Sequence, residues 1–202
     1  KKVIKENGQS ILVVSGGVNA RSLREHFLMN GFDIVALGDG ERTIVQIVEQ
    51  LSSGKPDYSK VERIAFKDNG KTIITSSQFN RMQKYIDDVP PPALDSLPLD
   101  LYQQLGIPHS GDPIPGTKFS AIQTARGCQD KCTFCHISQE KEDRDILGNI
   151  GFLKMFSPER VAEDVDRAVK LGVSRIYFED DNLFFHKKRL IKLAPYLKRE
   201  NL

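Results

Sequence analysis

Three cysteines close together are the residues of this sequence best suited to metal chemistry. They lie in GCQDKCTFCH, where Cys128, Cys132 and Cys135 are followed by His136, and the 202-residue chain contains no other cysteine. The spacing C-x-x-x-C-x-x-C suits an iron–sulfur cluster, whereas C-x-x-C-H is the attachment pattern of a c-type haem. The three thiols and the imidazole together could also hold zinc. The neighbouring residues have to decide among these three chemistries.

The surroundings of the cysteines favour the iron–sulfur interpretation. A zinc site would need the adjacent Cys135 and His136 to converge on one small ion. Haem attachment would leave Cys128 without a function and usually requires export to an oxidising compartment. Three unrelated buried thiols are a poor explanation, because the flanks are polar and Arg126 and Lys131 would stabilise thiolates. Three thiolates can hold all but one iron of a cubane cluster and leave the last iron open to a small molecule.

The composition predicts a globular protein and excludes some classes of function. Hydrophobic residues make up 39% and charged residues 28% of the chain, enough for one large core or two small ones, and we expect two domains. The 29 basic and 27 acidic side chains nearly balance, so nothing supports binding to nucleic acid. No apolar run approaches the ~20 residues that span a bilayer, and the first residues lack the apolar region of a signal peptide. We expect no membrane contact and a cytoplasmic location.

Two strand–helix units are predicted in residues 11–51. ILVVSGG (11–17) and FDIVALGDGE (32–41) each contain an apolar run that ends in glycines, as in strands buried on both faces. A helical stretch follows each strand, the first over about 20–30, and the second has apolar residues on one side at Ile44, Ile47, Val48 and Leu51. Such units predict a parallel, doubly wound sheet, whose ligands bind beyond the carboxyl ends of the strands. Four glycines fall at those ends, either to admit a ligand or simply to make the turns: Gly16, Gly17, Gly38 and Gly40.

A hairpin and a connector follow these units. VERIAFKDNGKTIITSS (61–77) predicts a β-hairpin, because Asn69-Gly70 accepts the positive φ angles of a type I′ turn. Residues 87–106 carry four prolines in their first twelve positions, which disfavours helix and sheet alike. We therefore expect a domain boundary near residue 90.

The second half begins with a predicted strand, 119–125, that runs directly into the cysteines. Residues 139–156 are mixed in charge, show no clear periodicity and are expected to form a mobile excursion. Ser157-Pro158 then predicts the start of a helix that Gly172 ends. The next predicted strand, RIYFEDDN (175–182), ends in three consecutive acidic residues, where a parallel strand delivers side chains to the ligand face.

CQDKCTFC resembles the C-x-x-x-C-x-aromatic-C loop of radical S-adenosylmethionine (SAM) enzymes, with Phe134 at the aromatic position. In that family the loop follows the first strand of a partial (βα) barrel, and the second strand ends near the ligand. The resemblance implies that Cys128, Cys132 and Cys135 ligate a 4Fe–4S cluster whose open iron is chelated by the amino and carboxylate groups of SAM. Reductive cleavage of SAM would then give a 5′-deoxyadenosyl radical that abstracts hydrogen from a substrate.

The resemblance also implies which residues contact SAM. Phe134 would lie beside the adenine. The end of the second strand would contact the amino or ribose groups through Glu179, Asp180, Asp181 or Asn182. Because the Gly-Gly-Glu sequence of many relatives is absent here, the resemblance does not single out one of these four residues.

The first half resembles the end of the cobalamin-binding domain that precedes the barrel in one large radical SAM subclass. By that resemblance, Gly16 and Gly17 pass under the nucleotide tail of cobalamin, where a side chain would block the approach of the backbone. The residues implied to line the same edge are Gly38, Asp39, Gly40 and Glu41. The upstream Asp-x-His-x-x-Gly signature of base-off cobalamin binders is absent from this sequence.

We therefore predict an α/β fold in three parts. Residues 1–86 would be the end of a doubly wound, Rossmann-like cobalamin-binding domain with a β-hairpin, 87–117 a Pro-rich linker, and 118–202 the first βα units of a radical SAM partial TIM barrel. A full barrel takes about 250 residues, so we expect a fragment that is inactive alone.

The predicted function is that of a cobalamin-dependent radical SAM methyltransferase acting on an unactivated carbon. The alternatives are a radical SAM enzyme without cobalamin, as in methylthiolation, and a non-catalytic iron–sulfur or metal-binding module. The expected partners are a small-molecule or peptide substrate and an electron donor such as flavodoxin or ferredoxin.

Overall fold

The computed structural model of the protein describes residues 11–77, 86–105, 116–185 and 187–198. Its strands are β1 (Val14–Ser15), β2 (Ile34–Ala36), β3 (Ile64–Asp68), β4 (Lys71–Ile74), β5 (Phe119–Ile122), β6 (Ala125–Arg126), β7 (Lys154–Met155) and β8 (Arg175–Phe178). Its helices are α1 (Gly17–Ser22), α2 (Arg24–Met29), α3 (Gly40–Ser52), α4 (Leu99–Leu105), α5 (His136–Glu140), α6 (Arg144–Leu147), α7 (Pro158–Lys170) and α8 (Lys187–Leu197). The described residues divide into two compact units, one within Lys1–Arg81 and Lys131–Gly151, the other within Met82–Asp130 and Phe152–Leu202.

The first unit contains a mixed sheet in the order β1-β2-β3-β4. β1 and β2 are parallel, with α1 and α2 between them in the chain. Ile34 and Val35 of β2 are completely buried on opposite faces of the strand. Ile34 packs in a cluster with Ile47 of α3, and Val35 packs in a cluster with Leu28 of α2. Helices thus cover both faces of β2, and the predicted α/β fold class with parallel strand pairing is confirmed.

Helix α3 forms as predicted, but most of its apolar side is not part of the core. Ile47 is 1% exposed, whereas Ile44 and Val48 are 50% and 51% exposed. The buried ridge of this helix holds only Thr43 and Ile47. An apolar spacing along α3 therefore indicated the helix correctly without indicating which residues the sheet covers.

The predicted hairpin is confirmed at the expected turn. β3 and β4 are antiparallel, and Asp68 lies opposite Lys71. Asn69 and Gly70 have φ angles of 48° and 79°, as both central positions of a type I′ turn require.

The second unit is built on the parallel pair of β5 and β8, with Ile122 opposite Phe178. Helix α7 connects them and buries Val165 and Ala168 against Ile122. Its predicted N-cap is confirmed, since the Ser157 hydroxyl accepts a hydrogen bond of 3.2 Å from the Arg160 N–H. Strand, helix and parallel strand here form one βα unit followed by the start of a second.

Two irregular segments contain more structure than the sequence predicts. The prolines of 87–106 do not exclude a helix, because α4 starts directly after Pro98, a position where the missing N–H costs nothing. The segment 139–156, expected to be a mobile excursion, has regular elements and buried residues that its sequence does not indicate. That segment contains α6 and β7, and Leu147 and Ile150 are 1% and 2% exposed in the core of the first unit.

The longest helices, α3 and α7, have thirteen residues each. Across the described ranges, no helix is both long enough and apolar enough to cross a membrane.

Candidate metal and cofactor site

The cysteines lie on the loop between β6 and α5. All three thiols are free, Cys132 is exposed, and Cys128 and Cys135 are partly exposed. The Cys135 N–H donates to the Cys132 carbonyl oxygen at 3.1 Å, which closes the C-x-x-C segment into a turn. Helix α5 begins at the next residue, His136. By donor type, three reduced and accessible thiols on one loop fit an iron–sulfur cluster.

The three cysteines are divided between the two units. Cys128 belongs to the second unit, and Cys132 and Cys135 belong to the first. In the part of the chain that the structure describes, no three His, Cys, Asp or Glu side chains form a group that could hold a metal ion. The assignment of the three thiolates as cluster ligands therefore stays a prediction.

The acidic end of β8 holds the backbone that leads to the cysteines. Asp180 Oδ1 accepts hydrogen bonds from the Thr124 N–H at 2.6 Å and the Ala125 N–H at 2.8 Å. Asp180 Oδ2 accepts a further hydrogen bond from the Thr124 hydroxyl. Thr124 is completely buried, so its N–H requires a partner inside the protein. Asp180 is therefore engaged by the chain itself.

The next two residues contact the loop further along. Asp181 Oδ2 accepts from the Gly127 N–H at 2.9 Å, and Asn182 Nδ2 donates to Asp130 Oδ2 at 3.3 Å. The Asp130 N–H in turn lies 3.5 Å from Cys128 Sγ, which accepts a hydrogen bond from it. Of the four residues predicted to contact SAM, these three thus have contacts with the cysteine loop within the second unit.

Phe134 is 89% exposed, an unusual state for a phenylalanine side chain. It stands directly before Cys135 in the C-x-x-C turn. The predicted contact of this ring with adenine has open space in which to form.

The glycines predicted to line a cobalamin site follow the carboxyl ends of β1 and β2. Because these strands are parallel, both ends lie at the same edge of the sheet. Gly17 has a φ of 84°, and a Cβ at Gly17 or Gly40 would meet no atom within 4 Å. Gly16 is the N-cap of α1, and Asp39 is the N-cap of α3, whose first turn includes Glu41. The open space beside Gly17 and Gly40 is compatible with the close approach of a ligand.

Gly38 makes room for a side chain of the protein instead. A Cβ at Gly38 would lie 2.6 Å from Cδ of Arg63, a residue that the sequence analysis missed. Burial lowers the pKa of the Arg63 guanidinium, and the charge of Asp39 opposes this effect. No local pattern marks Arg63, because its place beside Gly38 depends on the pairing of β2 with β3.

A polar pocket of about 330 Å³ lies within the first unit, beside the helix that begins after Cys135. The side chains of Arg21 and Glu140 form an ion pair there and are only 11% and 14% exposed. Arg24 and Asp143 form a second, more exposed ion pair at 3.4 Å. The pocket is lined by Val18, Arg21, Ser22, Arg24, Thr133, His136, Gln139, Glu140, Glu142 and Asp143. Sequence reasoning missed these pairs, since their partners are more than a hundred positions apart.

Known proteins resemble the chain along most of its length. It is 28% identical over 204 positions, and over its whole length, to an uncharacterized methyltransferase of Pyrococcus horikoshii. It is 24% identical over 90% of its length to the cobalamin-dependent radical SAM methyltransferase TokK of Streptomyces tokunonensis. The chain is homologous to cobalamin-dependent radical SAM methyltransferases. The family resemblance predicted from the cysteine loop is thereby confirmed, although no protein-family model matches the sequence.

A solved structure supports the α/β fold of the chain. The cobalamin-dependent SAM radical enzyme OxsB, with aqua-cobalamin bound, superimposes on 98% of the chain with a TM-score of 0.68 at 21% sequence identity.

A methylthiotransferase of ribosomal protein uS12, RimO of Pseudomonas putida, is 23% identical over 79% of the chain. The chain spans 40% of the length of the Pyrococcus relative, 24% of TokK and 26% of the OxsB chain.

Proposed function

We propose that the protein is a cobalamin-dependent radical SAM enzyme that transfers a methyl group to an unactivated carbon. The observation that carries the proposal is the cysteine loop, which has three free thiols at C-x-x-x-C-x-x-C spacing. The loop follows β5 and the short β6, and the parallel neighbour of β5, β8, leads into acidic residues. The similarity to TokK supports both the cofactor and the reaction type.

Cys128, Cys132 and Cys135 would hold a 4Fe–4S cluster, which when bound supplies the electron for reductive cleavage of SAM. The backbone hydrogen bond from the Cys135 N–H to the Cys132 carbonyl oxygen places these two cysteines in one turn. Phe134 offers an exposed ring for the adenine. The end of β8 offers polar groups for the amino or ribose groups of SAM, and Glu179 and Asn182 remain as candidates because the two aspartates between them bond backbone N–H groups of 124–127.

The shared edge of β1 and β2 would bind cobalamin. Gly17 and Gly40 have open space beside their backbone there, Gly16 lies next to Ala36, and Asp39 and Glu41 add polar side chains. Gly38 also lies at this edge, but a side chain there would collide with Arg63, so its glycine does not by itself indicate a ligand.

The substrate would be a small molecule or a peptide, and the electron donor a protein such as flavodoxin or ferredoxin. Recognition of the substrate and of the electron donor would be a property of the whole enzyme. The chain spans 40% of the length of the Pyrococcus relative and 24% of that of TokK.

Anaerobic reconstitution of the full-length protein with iron and sulfide tests the cluster. We expect about four irons per protein and an electron paramagnetic resonance signal that changes when SAM is added. Replacing any one of Cys128, Cys132 or Cys135 by Ala should abolish that signal, because each removes a protein ligand.

His136→Ala is the matched control for the cluster experiment, because His136 is exposed and follows Cys135 directly. The iron–sulfur assignment predicts that this variant keeps its cluster, whereas a zinc or haem site would lose a ligand. An electron paramagnetic resonance signal that does not change when SAM is added would instead support a non-catalytic iron–sulfur module.

Gly40→Ala tests the cobalamin edge. A Cβ at Gly40 has open space in the structure, so the variant should fold normally and still obstruct a ligand that lies against the backbone. We expect weaker binding of hydroxocobalamin, measured by absorption spectroscopy, with an unchanged thermal midpoint. Equal binding by the variant and the parent protein would contradict the assignment of this edge.

The similarity to a methylthiotransferase favours a second candidate, a radical SAM enzyme that does not use cobalamin. Full-length protein that purifies without corrinoid, binds no added hydroxocobalamin and turns over without it would establish that candidate.

A further inference from the structure

We propose that Asp180, Asp181 and Asn182 form a clamp that positions the cysteine loop, and that Asp180 and Asp181 are therefore not SAM ligands. This inference rests on the proposed function for its importance, but its geometry is independent of any cofactor. It narrows the set of possible SAM ligands within 179–182, because Asp180 and Asp181 bond backbone N–H groups of the chain itself and Asn182 bonds the side chain of Asp130.

The register of the parallel strands brings the clamp to the loop. Ile122 lies opposite Phe178, and the Glu179 N–H donates to the Ile122 carbonyl oxygen at 3.0 Å. Two residues further along both strands, Asp180 stands beside Thr124. The clamp thus continues the pairing of β5 and β8, with hydrogen bonds from side chains in place of hydrogen bonds between the two backbones.

Asp180 holds the point where β5 turns into β6. Its two oxygens accept three hydrogens, from the N–H groups of Thr124 and Ala125 and from the Thr124 hydroxyl. The carbonyl oxygen of Thr124 accepts from the Phe156 N–H at 3.0 Å and from the Arg189 guanidinium. All polar groups of this completely buried threonine are therefore satisfied, and a carboxylate serves because it only accepts hydrogen bonds.

Asp181 and Asn182 hold the two sides of Cys128. Asp181 accepts from the N–H of Gly127, which has a φ of 77° that favours glycine. Asn182 donates to Asp130, whose N–H contacts the Cys128 thiol. Three consecutive residues after β8 thus contact three successive places, at 124–125 just before the cysteine loop and at 127 and 130 within it.

The clamp and a SAM-binding role predict different results in metal-free protein. If Asp180 caps the amides of Thr124 and Ala125, then Asp180→Ala should speed hydrogen exchange of those amides by about tenfold or more without any cofactor present. Asp181→Ala should speed exchange at Gly127 alone. A group that only contacts SAM would change neither rate.

The decisive experiment measures residue-resolved hydrogen exchange on the full-length, metal-free protein and its variants. Asp181→Asn should restore protection of Gly127, because its amide oxygen still accepts a hydrogen bond. Asp180→Asn should also restore protection of the Thr124 and Ala125 amides, because its amide oxygen can accept from both N–H groups while its NH₂ group donates to the Thr124 hydroxyl oxygen. Glu163→Gln, at an exposed position on α7, is the matched control and should change none of these rates.

A second measurement connects the clamp to the cluster. After reconstitution, Asp180→Ala should lose iron to a chelator faster than the parent protein, while its remaining intact sites bind SAM with unchanged affinity. Unchanged exchange rates combined with lost SAM affinity would overturn the clamp and make these residues cofactor ligands.

The outcome remains decisive if one variant or the proposed function fails. If Asp180→Ala does not fold, the exposed Asp181 and its Ala and Asn variants still decide the matter through the Gly127 amide. If the parent protein takes up no iron, the proposed function fails, while the exchange rates of the metal-free protein still confirm or reject the clamp.

Discussion

Phe134 is a large apolar side chain with almost no cover, since it is 89% exposed. If its ring stacks on adenine, Phe134→Ala should weaken SAM binding by about five- to a hundredfold, the usual effect of removing one aromatic partner of a base. Equilibrium binding of SAM to reconstituted full-length protein measures this. Phe184→Ala, at a phenylalanine that is 81% exposed, is the matched control and should bind SAM like the parent protein. Equal losses in both variants would contradict a specific role for Phe134.

Glu159 and Tyr196 form an exposed pair whose titration can be followed directly. The Tyr196 hydroxyl donates to Glu159 Oε1 at 2.6 Å, which lowers the pKa of Glu159 and raises the pKa of Tyr196. The contribution of Glu159 to stability is therefore present above its ordinary pKa and is lost as the pH falls through the lowered value. That of Tyr196 is present below its ordinary pKa and is lost as the pH rises through the raised value. In Tyr196→Phe, the pKa of Glu159 measured by nuclear magnetic resonance should return upward, and an unchanged value would contradict the pairing.

At the scale of single elements, local sequence signals predicted structure well where the deciding contacts are local. Asn69-Gly70 gave the turn between β3 and β4, and Ser157-Pro158 gave the start of α7. The segment 139–156 lacks such signals, because its order comes from burial of Leu147 and Ile150 beside residues more than seventy positions away, such as Ala65. The strand that leads into the acidic residues was likewise predictable from local signals. The partners of Asp180 were not, because Thr124 lies more than fifty positions away in the sequence.

Substitutions in the segment around α6 test this account of its order. Leu147 is 1% exposed, so Leu147→Ala should lower the free energy of unfolding by about 2–5 kcal/mol. Its neighbour Ile146 is 45% exposed, and Ile146→Ala should change that free energy by no more than about 0.5 kcal/mol. Urea denaturation gives both values. Similar losses in the two variants would show that the segment is held by something other than the burial of Leu147.

The ion pair between Arg21 of α1 and Glu140 of α5 links two elements of the first unit. Both side chains are nearly buried, so Arg21→Met should cost about 3 kcal/mol by leaving Glu140 without its charged partner. The double variant Arg21→Met/Glu140→Met should recover most of that loss, since it removes the buried charges together. Arg24→Met breaks the more exposed pair with Asp143 and should cost less than about 1 kcal/mol. Thermal or urea unfolding of the four proteins would contradict this ranking if Arg24→Met were the more costly change.

At the scale of the whole molecule, the sequence predicted the family because a short loop carries a specific ligand pattern, and it predicted the fold class because two parallel strand pairs follow from βα repeats. The assignment of cofactors to places is a separate matter. The residues implied for cobalamin lie within 16–41 and belong to the first unit, whereas those at 179–182 belong to the second. A cofactor that binds at one of these places should therefore slow the hydrogen exchange of the amides at that place.

Ligand-linked stability of the full-length protein tests that expectation. Hydroxocobalamin at about one hundred times its Kd should stabilise the folded protein by about 2.7 kcal/mol if it binds only the folded state. The thermal midpoint should rise, and hydrogen exchange should slow at the amides of Gly17, Gly40 and Glu41 more than at the Asn69-Gly70 turn, which lies at the opposite edge of the sheet. Because stabilisation by linkage grows with the logarithm of ligand concentration, a further tenfold addition should add about 1.4 kcal/mol. A midpoint independent of hydroxocobalamin concentration would remove cobalamin from the function, whereas a raised midpoint without protection at the β1–β2 edge would place it elsewhere in the protein.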